Sequence, residues 1–195
     1  MSTSSASVSL TVAFSTVLAF AACGNGSPRP TSPLVGAART GDVKAIAALA
    51  ASGHDFDAAD TGGNRWTPLL HAIHAGQSAS VSALIAAGAD VKTKSPGGTS
   101  PLEMAAGNGQ ADIVRALLGA GADPREPGVF ATAVAGGALS DIEQPLLGRC
   151  NTEIVRALVE RAPDLRLPGN ARGHLSRLFA RLNHCEAVLK LARIS

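Results

Sequence analysis

One spacing recurs along this chain and limits what the chain can fold into. The triplet Thr67-Pro68-Leu69 returns as Ser100-Pro101-Leu102, 33 residues later. A glycine and the tripeptide Gly-Ala-Asp keep the same offset: Gly76 returns as Gly109, and Gly88–Asp90 returns as Gly121–Asp123. The matching triplet Ser32-Pro33-Leu34 lies 35 residues before Thr67, and the two extra residues fall in the stretch ADTGGNR. Landmarks that hold one offset predict a repeat architecture, in which similar units stack in a row.

Each unit has the pattern of two short helices. A Ser or Thr before Pro caps a helix start, because the hydroxyl accepts a free backbone N–H and Pro has no N–H to leave unpaired. About eight residues later, Gly76 supplies the left-handed turn that ends the first helix. A second helix follows, with Val81, Leu84 and Ile85 on one face. A pair this small cannot bury its apolar face alone, so the units are expected to stack into an all-α solenoid.

These motifs resemble the ankyrin repeat. The segment SPLEMAAGNGQADIVRALLGAGAD, residues 100–123, matches the family pattern closely, and TPLLHAIHAG, residues 67–76, belongs to a second good copy. The resemblance covers residues 32–164 well and the remainder loosely, and it implies an all-α ankyrin-repeat solenoid of about five stacked helix-turn-helix units. The family's histidine after Pro-Leu is replaced by Leu70 and by Glu103. The Thr–His hydrogen bond usual in the family is therefore expected to be absent, at a cost in stability.

The last two units depart from the pattern. The ankyrin-repeat domain is expected over residues 32–195, with units near 32–63, 64–97, 98–127, 128–166 and 167–195. In the fourth unit, the first helix is expected over Val129–Ala135, and an insertion follows over residues 138–150. That insertion is either tolerated slack or a functional lip, since loops often carry function. The fifth unit, from about Gly169, is expected to close the array with a polar outer face.

The N-terminus has the features of an export signal. Residues 8–22 read VSLTVAFSTVLAFAA, an uncharged stretch that is shorter than the ~20 residues needed to span a membrane. Ala21-Ala22-Cys23 resembles the lipobox of bacterial lipoproteins, which implies a signal peptide over residues 1–22, a lipid on Cys23 and a flexible tether over residues 23–31. The alternatives are an ordinary cleaved signal with a free Cys23, and a buried helix. The mature protein is expected at the periplasmic face of a bacterial membrane as a lipoprotein, or soluble in the periplasm or secreted.

The two remaining cysteines form an even number if Cys23 carries lipid. Cys150 and Cys185 each precede the second helix of consecutive units, where neighbouring repeats lie side by side. In an oxidising compartment a disulfide can join them, and two unpaired thiols are the alternative.

Composition and motifs argue against chemistry. The formal net charge is +2, which is too little for a general nucleic-acid binder. The positive charge is concentrated from Arg149 onward, as a solvated face or as a surface for an acidic partner. His71 and His74 lie three residues apart, as metal ligands on one helix face can, but the sequence offers no third or fourth ligand beside them. No catalytic or phosphate-binding motif is present either. We therefore expect no enzyme activity, no metal and no cofactor.

The resemblance implies a protein-binding module that grips its partner through the concave face. The contact residues are expected at the turn tips and at variable first-helix positions: Asn64, Arg65, Trp66, His71, His74, Lys94, Met104 and Asn108. Trp66 either anchors the partner or packs back on the scaffold. The protein is expected to be monomeric and to touch a membrane only through its N-terminal lipid. Two alternative functions stay open: an immunity protein or inhibitor of a periplasmic toxin or enzyme, and an envelope scaffold or protective factor.

Overall fold

The computed structural model describes residues 32–135, 151–166 and 186–191, and the regular structure within these ranges is entirely helical. The helices are α1 Pro33–Thr40, α2 Val43–Ala51, α3 Pro68–His74, α4 Ser78–Ala86, α5 Pro101–Gly107, α6 Ala111–Gly119, α7 Val129–Ala135, α8 Thr152–Arg161 and α9 Glu186–Leu191. The expected all-α repeat fold is confirmed, and α7 has the bounds that the spacing predicts. No helix in the described ranges is both long enough and apolar enough to cross a membrane.

The sequence signals at the helix ends act as expected, with one exception. Thr67 Oγ1 accepts a hydrogen bond from the backbone N–H of Leu70 at 3.3 Å, and Ser100 Oγ accepts one from that of Glu103 at 3.2 Å. Ser32 precedes α1 in the same way but makes no side-chain capping bond. The first helices of three units end beside glycines in the left-handed region: Gly41, Gly76 and Gly109, with φ of 82°, 70° and 73°.

The helices stack in two rows. The first helices of the units, α1, α3, α5 and α7, contact one another in that order and form what we call the inner row. The second helices, α2, α4, α6 and α8, form the outer row, and each packs against the first helix of its own unit. The final helix α9 packs against α8. Stacking thus covers the apolar face that each pair of helices would otherwise expose to water.

One continuous core runs between the rows. The leucine after each Pro of the repeated triplet is buried, in Leu34, Leu69 and Leu102. The outer row contributes one buried β-branched residue from the same position of each helix: Ile46, Val81, Val114 and Val155. These side chains belong to a single apolar cluster.

Polar side chains tie neighbouring units together. Gln110 Nε2 donates to the backbone carbonyl of Ile73 at 2.7 Å, so the start of the third unit's outer helix is bound to the end of α3. Further along, the Arg125 guanidinium donates to Asp164 at 2.6 Å and holds the pKa of that carboxyl below its usual value. These bonds connect neighbouring units.

Several expectations concern residues outside the described ranges. They are the signal over residues 1–22, the lipid on Cys23, the tether, the insertion over residues 138–150, and the pairing of Cys150 with Cys185. Export, lipidation and the disulfide therefore stay predictions.

Candidate functional site

The turn between α2 and α3 forms a tip that is longer than the next one. The backbone N–H of Asp60 donates to the carbonyl of Trp66 at 2.9 Å, and that of Ser95 donates to Thr99 at 2.9 Å in the following unit. The first bond encloses residues 61–65 and the second encloses only residues 96–98. The two extra residues that the repeat spacing places in ADTGGNR therefore lengthen this tip.

Asp60 connects the longer tip to α3 through a buried pair. A 2.7 Å hydrogen bond joins Oδ2 of Asp60 to Nε2 of His71, and each residue is only 8% exposed. The other carboxylate oxygen, Oδ1, is buried without a hydrogen-bond partner. Asp60 thus closes the tip with its backbone and holds the His71 ring with its side chain.

Trp66 packs on two imidazoles. Its ring centroid lies 5.5 Å from that of His71 and 5.1 Å from that of His74, the second in an edge-to-face arrangement. Such tilted contacts are the favoured geometry for aromatic pairs. Trp66 is half-buried and His74 is exposed, so one part of this aromatic group faces solvent. We call Asp60, Trp66, His71 and His74 the Trp66 cluster.

Arg65 is held in an uncommon backbone conformation beside this cluster. Its φ is +49°, and it is the one non-glycine residue with a positive φ in the described ranges. A left-handed conformation costs a residue with a side chain about 1–2 kcal/mol. The tip fixes this conformation and leaves the Arg65 side chain exposed next to Trp66.

The residues expected from the sequence to contact a partner differ in their exposure. The exposed ones are Asn64, Arg65, His74, Lys94 and Asn108, and Trp66 and Met104 are half-buried. His71 is different, because its burial leaves little of its side chain for a partner to reach. The structure brings His71 together with Trp66 and His74, whereas Met104 and Asn108 lie on and just after α5.

The next tip carries its own ionic contacts. Lys94 Nζ lies 3.7 Å from Oε1 of Glu126, so this predicted contact residue already has a carboxylate near it. Asp90, which precedes this tip, accepts bonds from the backbone N–H of Lys92 and the hydroxyl of Thr93, and these hold the pKa of Asp90 below its usual value.

The cluster has the chemistry of a contact surface. In the described ranges no three His, Cys, Asp or Glu side chains come together as a metal would require. Nε2 of His71 is occupied by Asp60, so the pair His71 and His74 is not poised to share an ion. What the cluster offers is a fixed aromatic surface with exposed polar groups around it.

Asp60 is the member of this site that the sequence did not identify. One signal for it was the place where the repeat spacing changes between 33 and 35 residues. The replacement of the family's usual histidine by Leu70 was a second signal, because it removes the Thr–His hydrogen bond usual in the family. In this structure a histidine one residue further along the helix, His71, is hydrogen-bonded to Asp60.

Comparison with known proteins identifies the repeat. Residues 34–127 match the family model for ankyrin repeats in three copies. Among solved structures, the crystal structure of the human ASB11 ankyrin repeat domain aligns with a TM-score of 0.60 at 24% identity, over 82% of this chain and 69% of that one. At this identity the match shows the fold alone. No curated protein matches the sequence.

Proposed function

Because residues 34–127 match the family model for ankyrin repeats and the fold matches an ankyrin repeat domain, we propose that this chain is a non-enzymatic module that binds a partner protein through its tips and inner row. Ankyrin repeats are a protein-interaction scaffold and are not typically enzymatic. The proposed contact residues are Asn64, Arg65, Trp66, His74, Lys94, Met104 and Asn108. We assign His71 a supporting role, in which its buried ring packs against Trp66.

The observation that carries the proposal is the packing of Trp66. Tryptophan contributes much of the binding energy where it occurs at protein interfaces. Here two imidazoles fix the ring before any partner arrives, and the Asp60 bond fixes one of those imidazoles. A ring that is already immobilised loses less conformational entropy on binding, which favours affinity.

Site-specific photocrosslinking tests which row meets the partner. A benzophenone amino acid replaces His74 at the end of α3 in one variant and Ser82 on α4 in the other. Both positions are exposed and belong to the same unit, but they lie on different rows. The proposal expects a covalent protein adduct from position 74 and none from position 82 in the cells that make the protein. An adduct from position 82 alone, or equal adducts from both, would contradict it.

We further propose that the mature protein is exported, monomeric and attached to a bacterial membrane by a lipid on Cys23. The support is the uncharged stretch over residues 8–22 and the Ala21-Ala22-Cys23 motif. Mass spectrometry of the mature N-terminal peptide tests this directly. Cys23 with a diacylglycerol mass is expected, and an unmodified Cys23 would contradict the anchor while leaving the binding module in place.

A further inference from the structure

Two exposed arginines lie near the Trp66 cluster. Arg65 lies at the tip beside Trp66, and Arg39 lies in the last turn of α1; both are exposed. Within the described ranges neither guanidinium forms an ion pair with a carboxylate. Two arginines on this surface therefore keep their full hydrogen-bonding capacity.

Several carboxylates near this surface make hydrogen bonds or ion pairs within the chain. Asp60 is buried against His71, and Glu126 lies near Lys94. Glu103 is half-buried, and its Oε1 accepts from the hydroxyl of Thr132 at 3.4 Å. The exposed aspartates that precede the tip in the chain, Asp55 and Asp57, accept hydrogen bonds from the backbone N–H groups of Asp57 and Asp90 respectively. The tip itself, residues 61–65, contains Arg65 and no acidic residue, so the charge that directly adjoins Trp66 is positive.

The register of the repeat places Arg39 close to the cluster. Arg39 lies 35 residues before His74, the offset that relates the first two units, so the two residues occupy equivalent positions on α1 and α3. These helices are neighbours in the inner row, and packed helix axes lie ~10 Å apart. His74 touches Trp66, which directly follows Arg65 in the chain, and Arg39 lies one helix away from His74 along the inner row.

We propose, on the basis of the function proposed above, that this surface recognises an acidic protein segment. An apolar or aromatic side chain of the segment packs on Trp66, and flanking carboxylates pair with Arg65 and Arg39. Arginine suits this role because its planar guanidinium donates two parallel hydrogen bonds to a carboxylate. Charge complementarity of this kind contributes more to partner choice and association rate than to affinity.

Two matched peptides test the sign of the charge. One short peptide alternates glutamate and leucine around a central phenylalanine, and the other has lysine at every glutamate position. Trp66 is the only tryptophan of the chain, so its fluorescence reports binding directly. At low salt the glutamate peptide is expected to bind about tenfold more tightly than the lysine peptide, and the difference should shrink in about 0.5 M NaCl because salt screens exposed charges. Equal binding, tighter binding of the lysine peptide, or no binding of either would overturn the inference.

Charge variants locate the effect. Arg39→Glu is expected to weaken binding of the glutamate peptide by about threefold or more. Arg65→Asn is expected to weaken it to a similar extent, because it removes the charge. Asparagine is chosen at this position because it tolerates a positive φ. Lys44→Glu is the matched control, since it makes the same charge change as Arg39→Glu in the same unit but on the outer row. If Lys44→Glu weakens binding as much as Arg39→Glu, the effect is one of net charge and the inference fails. Circular dichroism confirms that each variant is folded.

The photocrosslinking experiment separates this inference from the proposed function. A partner that crosslinks to position 74 through a segment rich in aspartate and glutamate supports both. A partner that crosslinks there through a basic or uncharged segment keeps the binding module and overturns the acidic specificity.

Discussion

At the scale of single residues, the most informative feature is a carboxylate that is only partly satisfied. Oδ2 of Asp60 is hydrogen-bonded to His71, and Oδ1 is buried without a hydrogen-bond partner. A buried polar atom without a hydrogen bond costs about 1–3 kcal/mol. The chain tolerates this arrangement at the tip that also holds Arg65 at a positive φ. Such local costs often accompany functional sites, because they fix side chains in a defined position.

We predict that the Asp60–His71 bond stabilises the first half of the array. Asp60→Ala and His71→Ala should each lower the free energy of unfolding by about 2–3 kcal/mol, since each leaves a buried polar partner unpaired. The double variant should lose less than the sum of the two, because both changes remove the same bond. Urea unfolding followed by circular dichroism measures the loss.

The control for this prediction is Asn64→Ala, an exposed change on the same tip. It should alter the free energy of unfolding by no more than about 0.5 kcal/mol. If Asp60→Ala is as mild as Asn64→Ala, the buried pair does not stabilise the tip.

At the scale of helices, much of the structure follows from local signals. The Ser/Thr-Pro pairs and the glycines predict where α1, α3 and α5 begin and end, because capping and left-handed turns depend on residues within one turn. The burial of His71 could not be obtained in this way. It depends on the longer tip, which brings Asp60 and Trp66 against α3, and the sequence shows that two residues are added without showing which of them turn inward.

Two serines in equivalent positions allow a matched test of capping. Ser100 accepts a hydrogen bond from the N–H of Glu103, whereas Ser32 makes no such bond. Ser100→Ala should therefore lower the free energy of unfolding by about 1 kcal/mol, and Ser32→Ala should lower it by less than half as much. Chemical denaturation of the two variants measures both values. Equal losses would show that the capping bond at α5 does not account for the difference.

At the scale of the whole molecule, the described units share one plan with different surfaces. The outer row changes along the array: α4 exposes Ser and Ala, whereas Arg115 on α6 pairs with Glu153 on α8 at 3.1 Å. The inner row and its tips carry the Trp66 cluster and the unpaired arginines near one end. Repeat spacing predicted that the helix pairs stack, since stacking is the common solution for such units. The identity of a partner depends instead on side chains that the fold leaves free to vary.

The central claim is that the tips and inner row form the binding surface. Amide hydrogen exchange tests it, measured on the free protein and on its complex with the partner that crosslinking identifies. With the partner bound, exchange should slow in the tip over residues 61–66 and in α3, because contact reduces the local opening of both. Exchange in α4, on the outer row of the same unit, should stay as it is in the free protein. Slower exchange in α4 and α6, with no change in the tip and α3, would contradict the claim.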